Sequence, residues 1–449
     1  MNFSTDKQTL EDLNILGKPG GDSVYALYNN THTRGGADIL EQLFLYPLGD
    51  VESINKRSQS IQYFSSLNLA FPISTVALDS AELYLSMTDQ RTMLSQSGDT
   101  LARKFSQLIA VDGDQKLIIN GIIAVIGILQ SLQEFTLKIK ATAEVSAYQS
   151  NLAEIETLLA EEYFKSLLED RQPERLPYSK LVDLDKLLRF GHRERIKQML
   201  SFIYQLDVLI SVAATAAKKQ YLFPKALPKE EQVLKLKQVR HPLVKNVKGN
   251  SLEISPSHNV VFLTGANMAG KSTFMKSLGI ALYLAHMGFP VAAEEMEFSV
   301  RDGIYTTINL ADDLNSGNSH FYAEVLRVKK IAKELGAGKS LFIIFDELFR
   351  GTNVKDAYEG TIAITEAFAQ KHNCMFVVST HIIEAGEVLK ARCPNIQFVY
   401  LPTRMNGNTP VYTYQLELGI TADRHGMVII NNERILEIIR SRKNIIPQS

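Results

Sequence analysis

The sequence predicts a chain of two unlike parts: a mostly helical region, residues 1–230, followed by an α/β region, residues 231–449. Three observations predict this. An apolar stripe at helical spacing runs through residues 193–223. After Val233 short apolar runs alternate with helical ones. A glycine-and-lysine turn, GANMAGKS, joins one of those runs to a helix.

Bulk properties narrow the class. A chain of 449 residues suggests roughly two to four domains. Hydrophobic residues make up 45% and charged residues 22%, the range of a soluble protein with full cores. Lysine and arginine number 48 against 49 acidic residues. The chain therefore lacks the global basic footprint of non-specific nucleic-acid binding, while a local basic groove stays open. Cys374 and Cys393 lie at no metal-like spacing, which fits a reducing, cytoplasmic compartment. The opening residues MNFSTDKQTLEDL lack the apolar core of a signal peptide. LIINGIIAVIGILQSL, Leu117–Leu132, is the most lipid-like run, but it holds Asn120 and Gln130 and is shorter than the roughly 20 residues of a span. It is expected as a buried helix, with no membrane as partner.

In the first region, DVESINKRSQSIQYFSSL begins a helix at Asp50, after the break at Pro47–Gly49. Helical segments follow at about residues 115–147 and 150–168, and RQPERLPYSK (Arg171–Lys180) interrupts them with two prolines. In the next helix, apolar residues fall at Ile196, Met199, Leu200, Ile203, Leu206, Ile210, Ala213, Ala214 and Ala217, one face by spacing. About 25 residues of helix rise on the order of 40 Å. Phe223–Pro224 ends it, and ALPKEE reads as a linker. Beyond it, VLKLKQV, NVVFLTG (Asn259–Gly265), SLFIIFDE (Ser340–Glu347) and CMFVVSTH (Cys374–His381) read as strands. Helices are expected from Lys271 and Asp356. Buried strands alternating with helices make an α/β sheet.

Four motifs carry chemistry. GANMAGKS, Gly265–Ser272, matches G-x-x-x-x-G-K-[ST] between a strand and a helix. Glycines let successive N–H groups face phosphates, the lysine reaches the β and γ phosphates, the serine ligates Mg²⁺, and the helix dipole helps. The ligand-free alternative is a glycine-rich turn. Asp346 closes an apolar strand, where a carboxylate can hold Mg²⁺. Glu347 follows, placed to orient or deprotonate water. The alternative is a pair of acids capping the next element. His381, in STH at another strand end, could sense a γ-phosphate or be structural. ADDLNSGNSHFYAE (Ala311–Glu324) opens a helix near His320; it could bind an anion or be a capped helix start, with Ser319 as N-cap.

In that order, GANMAGKST, ADDLNSGNSHFYAEV, FDELFRGTNVKDA and VVSTH resemble the ATPase domain of the MutS family, the DNA mismatch-repair ATPases, a branch of the ABC class. The Asn267–Met268 pair and the DE-x-x-RGT run are more specific than a bare phosphate loop. The LSGGQ signature of transporter-type ABC proteins is absent. RHPLV (Arg240–Val244) resembles the entry to that domain, Gln205–Tyr221 its lever helix, and Leu40–Phe64 the start of the helical core. The resemblance implies a helical core and lever domain followed by an ABC-type P-loop ATPase domain. It assigns Asn267, Lys271 and Ser272 to phosphates and Mg²⁺, with Gly265, Gly270 and Thr273 completing the ATP-binding loop. It makes Asp346 the Mg²⁺-side acid, Glu347 the catalytic base and His381 the switch histidine. Ser319 becomes the residue that reaches across a dimer to the partner's ATP, a role compatible with capping.

The family reads mismatches with an N-terminal domain carrying Phe-x-Glu. The residues ahead of Leu40 are too few for it and contain no such motif. A connector and a full clamp are also expected to be missing, with RQPERLPYSK marking the reduced clamp. RHGMVIINNERILEIIRSRK, from Arg424, reads as a shortened C-terminal helix-turn-helix that keeps His425–Gly426. RFGHRERIK supplies a candidate DNA surface at Arg189, His192, Arg193, Arg195 and Lys197, or else a solvated helix face. The expectation is a DNA-associated, Mg²⁺-dependent ATPase without the mismatch wedge, acting as a homodimer or with a relative, and with a repair protein as a further partner. The alternative is an ATP-gated adaptor for a protein or ribonucleoprotein, with no DNA binding of its own.

Overall fold

The computed structural model describes residues 3–18, 20–95, 112–143, 146–169, 172–266, 268–309, 320–407, 409–421 and 434–440. The chain forms two compact units. One comprises Tyr28–Leu45 and Lys56–Lys218; the other comprises Met1–Leu27, Tyr46–Asn55 and Lys219–Ser449.

The first unit is helical. Its core gathers the helices Thr75–Ser86, Asp112–Ala143, Gln149–Leu159, Glu162–Leu168 and Tyr178–Asp185 around the start of Arg193–Lys219. Ile118, Ile122, Val125, Ile126, Leu129 and Leu132, all from the lipid-like run, are buried in this core. Asp112–Ala143 and Arg193–Lys219 are each long and apolar enough to cross a membrane, yet half and 67% of their most apolar windows are buried within the fold. The expected segment 150–168 is two helices with a break at Ala160–Glu161.

Along Arg193–Lys219 the buried positions are Ile196, Met199, Leu200, Ile203, Leu206, Asp207, Ile210, Ala213 and Ala216, with Val208, Ser211, Val212 and Thr215 beside them. Ala214 and Ala217, expected on the stripe, are exposed. The stripe advances by threes and fours, and at its end it runs through Ala213 and Ala216 instead. One of the buried positions, Asp207, is charged. It is fully buried and accepts from His32 N, Thr33 N and Thr33 Oγ1 at 2.8–3.1 Å, tying residues 32–33 to this helix.

The candidate DNA surface needs a correction. Arg189 lies in a turn of π-helix, Lys186–Gly191, and its side chain is fully buried. Its Nη2 donates to Asp185 Oδ2 at 2.6 Å, its Nε to Asp185 Oδ1 at 2.8 Å, and its Nη1 to Thr92 Oγ1 and the Met87 carbonyl. Tyr84 also donates to Asp185, at 3.0 Å. A guanidinium satisfied this way has no donor left for a phosphate. His192 stacks on Tyr163 at 3.6 Å between ring centroids. Arg195 and Lys197 stay on the surface, 3.9 Å from Glu161 and 3.3 Å from Glu194.

The second unit is α/β. Its strands are β1 (Lys225–Leu227), β2 (Leu234–Val239), β3 (Asn250–Ile254), β4 (Val260–Gly265), β5 (Glu295–Ser299), β6 (Gly303–Thr307), β7 (Leu341–Asp346), β8 (Met375–Ser379), β9 (Ile396–Leu401), β10 (Thr403–Asn406), β11 (Thr409–Tyr412) and β12 (Glu417–Leu418). Among the described residues, six strands form a sheet in the order β12-β9-β4-β8-β7-β6. All its pairings are parallel except that of β12. β1-β5-β2-β3 form a smaller sheet, and β10 and β11 a ribbon. β4, β7 and β8 are buried nearly throughout, as parallel strands covered on both faces must be. Register sets Leu263 beside Ser379 and Ser379 beside Asp346. Three carboxyl ends thus stand side by side, where open α/β sheets receive ligands.

The chain's first residues pack on this unit. Ser4 bridges to Gly303. The buried Asp12 carboxylate accepts from Thr306 Oγ1, Ile308 N and Asn309 N at 2.8–2.9 Å. Asp6 accepts from Arg327 and Lys330. These cations hold its carboxyl far below the usual range, against the opposing effect of burial.

Candidate active site

β4 runs into the turn that Gly265 begins and helix Lys271–His286 ends. Gly270 caps that helix with φ +101°, and a Cβ there would stand 3.1 Å from Tyr414 Cδ1, so the position requires glycine. Lys271 is buried, and its Nζ donates to the Gly265 carbonyl at 2.8 Å and reaches that of Ala266 at 3.4 Å. Burial lowers its pKa, while Asp346 and Glu347 oppose that shift. The ammonium is thus held at the turn beside two acids.

Ser272 follows on the exposed side of the helix start, and its Oγ donates to Asp346 Oδ2 at 2.6 Å. Asp346 Oδ1 is buried and has no hydrogen-bond partner. Burial raises the pKa of this carboxyl, against the hydrogen bond from Ser272 and the influence of the nearby Ser379 hydroxyl. A hydroxyl and a carboxylate with one oxygen unpaired, at one point, form a hard oxygen donor set, the kind that suits Mg²⁺. Among the described residues no cluster of three or more His, Cys, Asp or Glu could hold a metal. Mg²⁺ needs none, because it is commonly held by one or two protein oxygens, substrate phosphates and water.

Glu347 leaves the strand. Its φ is +54°, and its N–H donates to the Ser379 carbonyl at 2.9 Å. Phe349, two residues on, has φ +62°. Left-handed backbone at a non-glycine residue costs about 1–3 kcal/mol each time. The Glu347 carboxylate lies 3.9 Å from His381 Nδ1 and 3.9 Å from Arg350 Nη1, too far for hydrogen bonds, which leaves it free to take another partner. His381 is 56% exposed at its side chain.

A cavity of about 660 Å³ opens over the turn. Its walls include Lys271, Ser272, Thr273, Glu347, Val244 and Tyr414. That volume falls within the range of small-molecule sites. Asn250 brackets Tyr414, donating to its carbonyl at 3.0 Å and accepting from Leu416 N at 2.8 Å. Val244 comes from RHPLV, where burial and the nearby Lys276 pull the pKa of His241 down to about 4.

The structure therefore brings Gly265, Gly270, Lys271, Ser272, Thr273, Asp346, Glu347 and His381 to one region. Asn267, Ser319 and the His425–Gly426 pair lie outside the described residues. Sequence reasoning missed Tyr414, which only the chain's return beside β9 brings to the loop. It also passed over Phe349, which nothing in local sequence marks as left-handed.

Two family models match the chain: MutS domain III over residues 8–213 and MutS domain V over residues 261–447. The chain belongs to the MutS family. Domain V is the ATPase domain of MutS proteins, and its match spans the turn, Asp346, Glu347 and His381. Domain III covers most of the helical unit and, from residue 8, part of the segment that packs on the α/β unit. MutS proteins bind DNA and work as dimers.

Proposed function

We propose that this MutS-family chain is a cytoplasmic, Mg²⁺-dependent ATPase of the P-loop, ABC type. A second copy completes its sites, and nucleotide gates its engagement with DNA. The observation that carries the reading is the 2.6 Å hydrogen bond to Asp346 from Ser272, a residue lining the cavity, with Lys271 in the same lining and an oxygen of Asp346 without a hydrogen bond.

In this reading Lys271 exchanges its two carbonyl partners for β- and γ-phosphate oxygens, and Gly265, Asn267, Gly270 and Thr273 shape the cradle. Ser272 and Asp346 hold Mg²⁺. When bound, the ion neutralises charge on the β and γ phosphates. Glu347 orients water in line with the γ-phosphorus and takes its proton, and His381, close by, monitors the γ-phosphate. Tyr414 and Val244 form the wall available to the base. Ser319 of a second copy approaches the γ-phosphate across the dimer.

The adaptor reading keeps one specific support. With Arg189 buried against Asp185, the one basic stretch singled out in the sequence is reduced to arginines and a lysine that neighbour glutamates. The deciding experiment is steady-state ATP turnover at physiological salt, with and without homoduplex, mismatched and branched DNA, and with Lys271→Ala as the blank. Stimulation by one DNA form is expected. Robust turnover indifferent to every DNA would favour the adaptor.

A further inference from the structure

The turn after β7 contains two left-handed non-glycine residues, Glu347 at φ +54° and Phe349 at φ +62°. Phe349 has no charge and no polar atom, yet it holds a conformation that usually goes to glycine, asparagine or aspartate. Strain of this kind persists only where surrounding contacts over-determine it. Those contacts are present. The ring is 6% exposed and sits in the core beneath the sheet ends. On one side it presses on Gly360 of helix Val354–Ala369, where a Cβ would come within 2.8 Å of Phe349 Cδ2. On the other it meets Phe321, in the first turn of helix His320–Gly336, edge to face at 5.8 Å between centroids. Next along the chain, Gly351 N donates to Glu324 of that same helix at 3.4 Å.

We infer that Phe349 is a positioning residue for Glu347: its ring, wedged between Gly360 and Phe321, locks the turn in the left-handed form that aims the carboxylate. The wedge also ties the aim of Glu347 to the first turn of helix His320–Gly336. A shift of that turn moves the ring, and the ring sits two residues from the acid. The inference rests on Glu347 acting as the base.

The test is a double-mutant cycle on ATP turnover with the full chain, using Phe349→Ala, Glu347→Gln and the two combined. Phe349→Ala removes the ring but keeps a Cβ and its strain. It should lower kcat roughly ten- to a hundred-fold, as a misaimed group does. KM and the affinity for a fluorescent ATP analogue should stay within about two-fold, because the phosphate loop is untouched. In the Glu347→Gln background the same substitution should cost nothing further, since a residue acting through the acid has nothing left to aim. Phe349→Tyr, which keeps the ring, should restore most of kcat. If Phe349→Ala fails to fold, Gly360→Ala carries the test, because its Cβ displaces the ring from the other side and should give the same split. The inference is overturned if kcat is unchanged in a folded variant, or if the loss is equally large in the Glu347→Gln background. Failure of the base assignment looks different: Glu347→Gln alone would then turn over like the unaltered protein.

Discussion

The two units use buried charge in opposite ways. In the helical unit Asp185 and Arg189 are both fully buried, and each finds its partners within the fold. In the α/β unit Asp346 gives one oxygen to Ser272 and leaves the other buried without a hydrogen bond, while Glu347 stands 3.9 Å from both Arg350 and His381. The closed pair is satisfied within the fold; the open set keeps capacity for another partner. Charge in a sequence therefore carries little functional information until its partners are counted. RFGHRERIK looks more like a binding site than LFIIFDE does, yet its first arginine, Arg189, is buried.

The sharpest way to break this contrast is Lys271→Ala. It should lower nucleotide affinity or turnover by about a hundred-fold or more, since it removes the charge aimed at the phosphates. A fluorescent-nucleotide titration and a turnover assay check it. Glu347→Gln should keep ATP bound, cut turnover by about a hundred-fold or more, and accumulate a dimer with ATP on a sizing column; monomer throughout would remove the composite-site idea. On the closed side, Arg189→Met strands Asp185 in the core. Removing one partner of a buried pair costs about 3–5 kcal/mol, so denaturant melts should show the helical unit weakened while nucleotide affinity is kept.

Acid should act on the α/β unit through His241 and His286. Burial holds both near a pKa of about 4, with Lys276 beside the first and Arg301 beside the second. The unfolded chain binds these protons first, so the contribution of the neutral rings is full above the ordinary histidine value of 6.5 and is lost as pH falls toward 4. Thermal melts across that window should show it, and His286→Phe should flatten the slope. The smallest effect is expected from Arg195→Glu with Lys197→Glu: both face glutamates, so DNA affinity should change by about three-fold or less, measured by fluorescence anisotropy.

What was legible in the sequence was local. Gly265 through Thr273 needs only a strand before it and a helix after it, and Asp346 announces itself by ending five apolar residues. The pairing of Ser272 with Asp346 could be anticipated from their types, but the distance and the unpaired oxygen could not, because they depend on β4, β8 and β7 lying in that order. Tyr414 was invisible for the same reason. Phe349 was hidden by a backbone angle that no side chain advertises. Asp6 and Asp12 lie in MNFSTDKQTLEDL, a stretch the sequence marks only by its lack of an apolar core. Their partners, Arg327, Thr306 and Ile308, lie hundreds of residues away, so only the fold reveals that they hold the edge of the sheet.

The central claim is that Ser272 and Asp346 are the Mg²⁺ seat of an ATPase. It is tested most directly by steady-state ATP turnover as a function of Mg²⁺ for the full chain and for Asp346→Asn. Turnover in the unaltered protein should depend on Mg²⁺. In the variant, turnover should be largely lost, and any residue of it should need far more Mg²⁺. Turnover in Asp346→Asn with an unchanged rate and an unchanged Mg²⁺ dependence would contradict it.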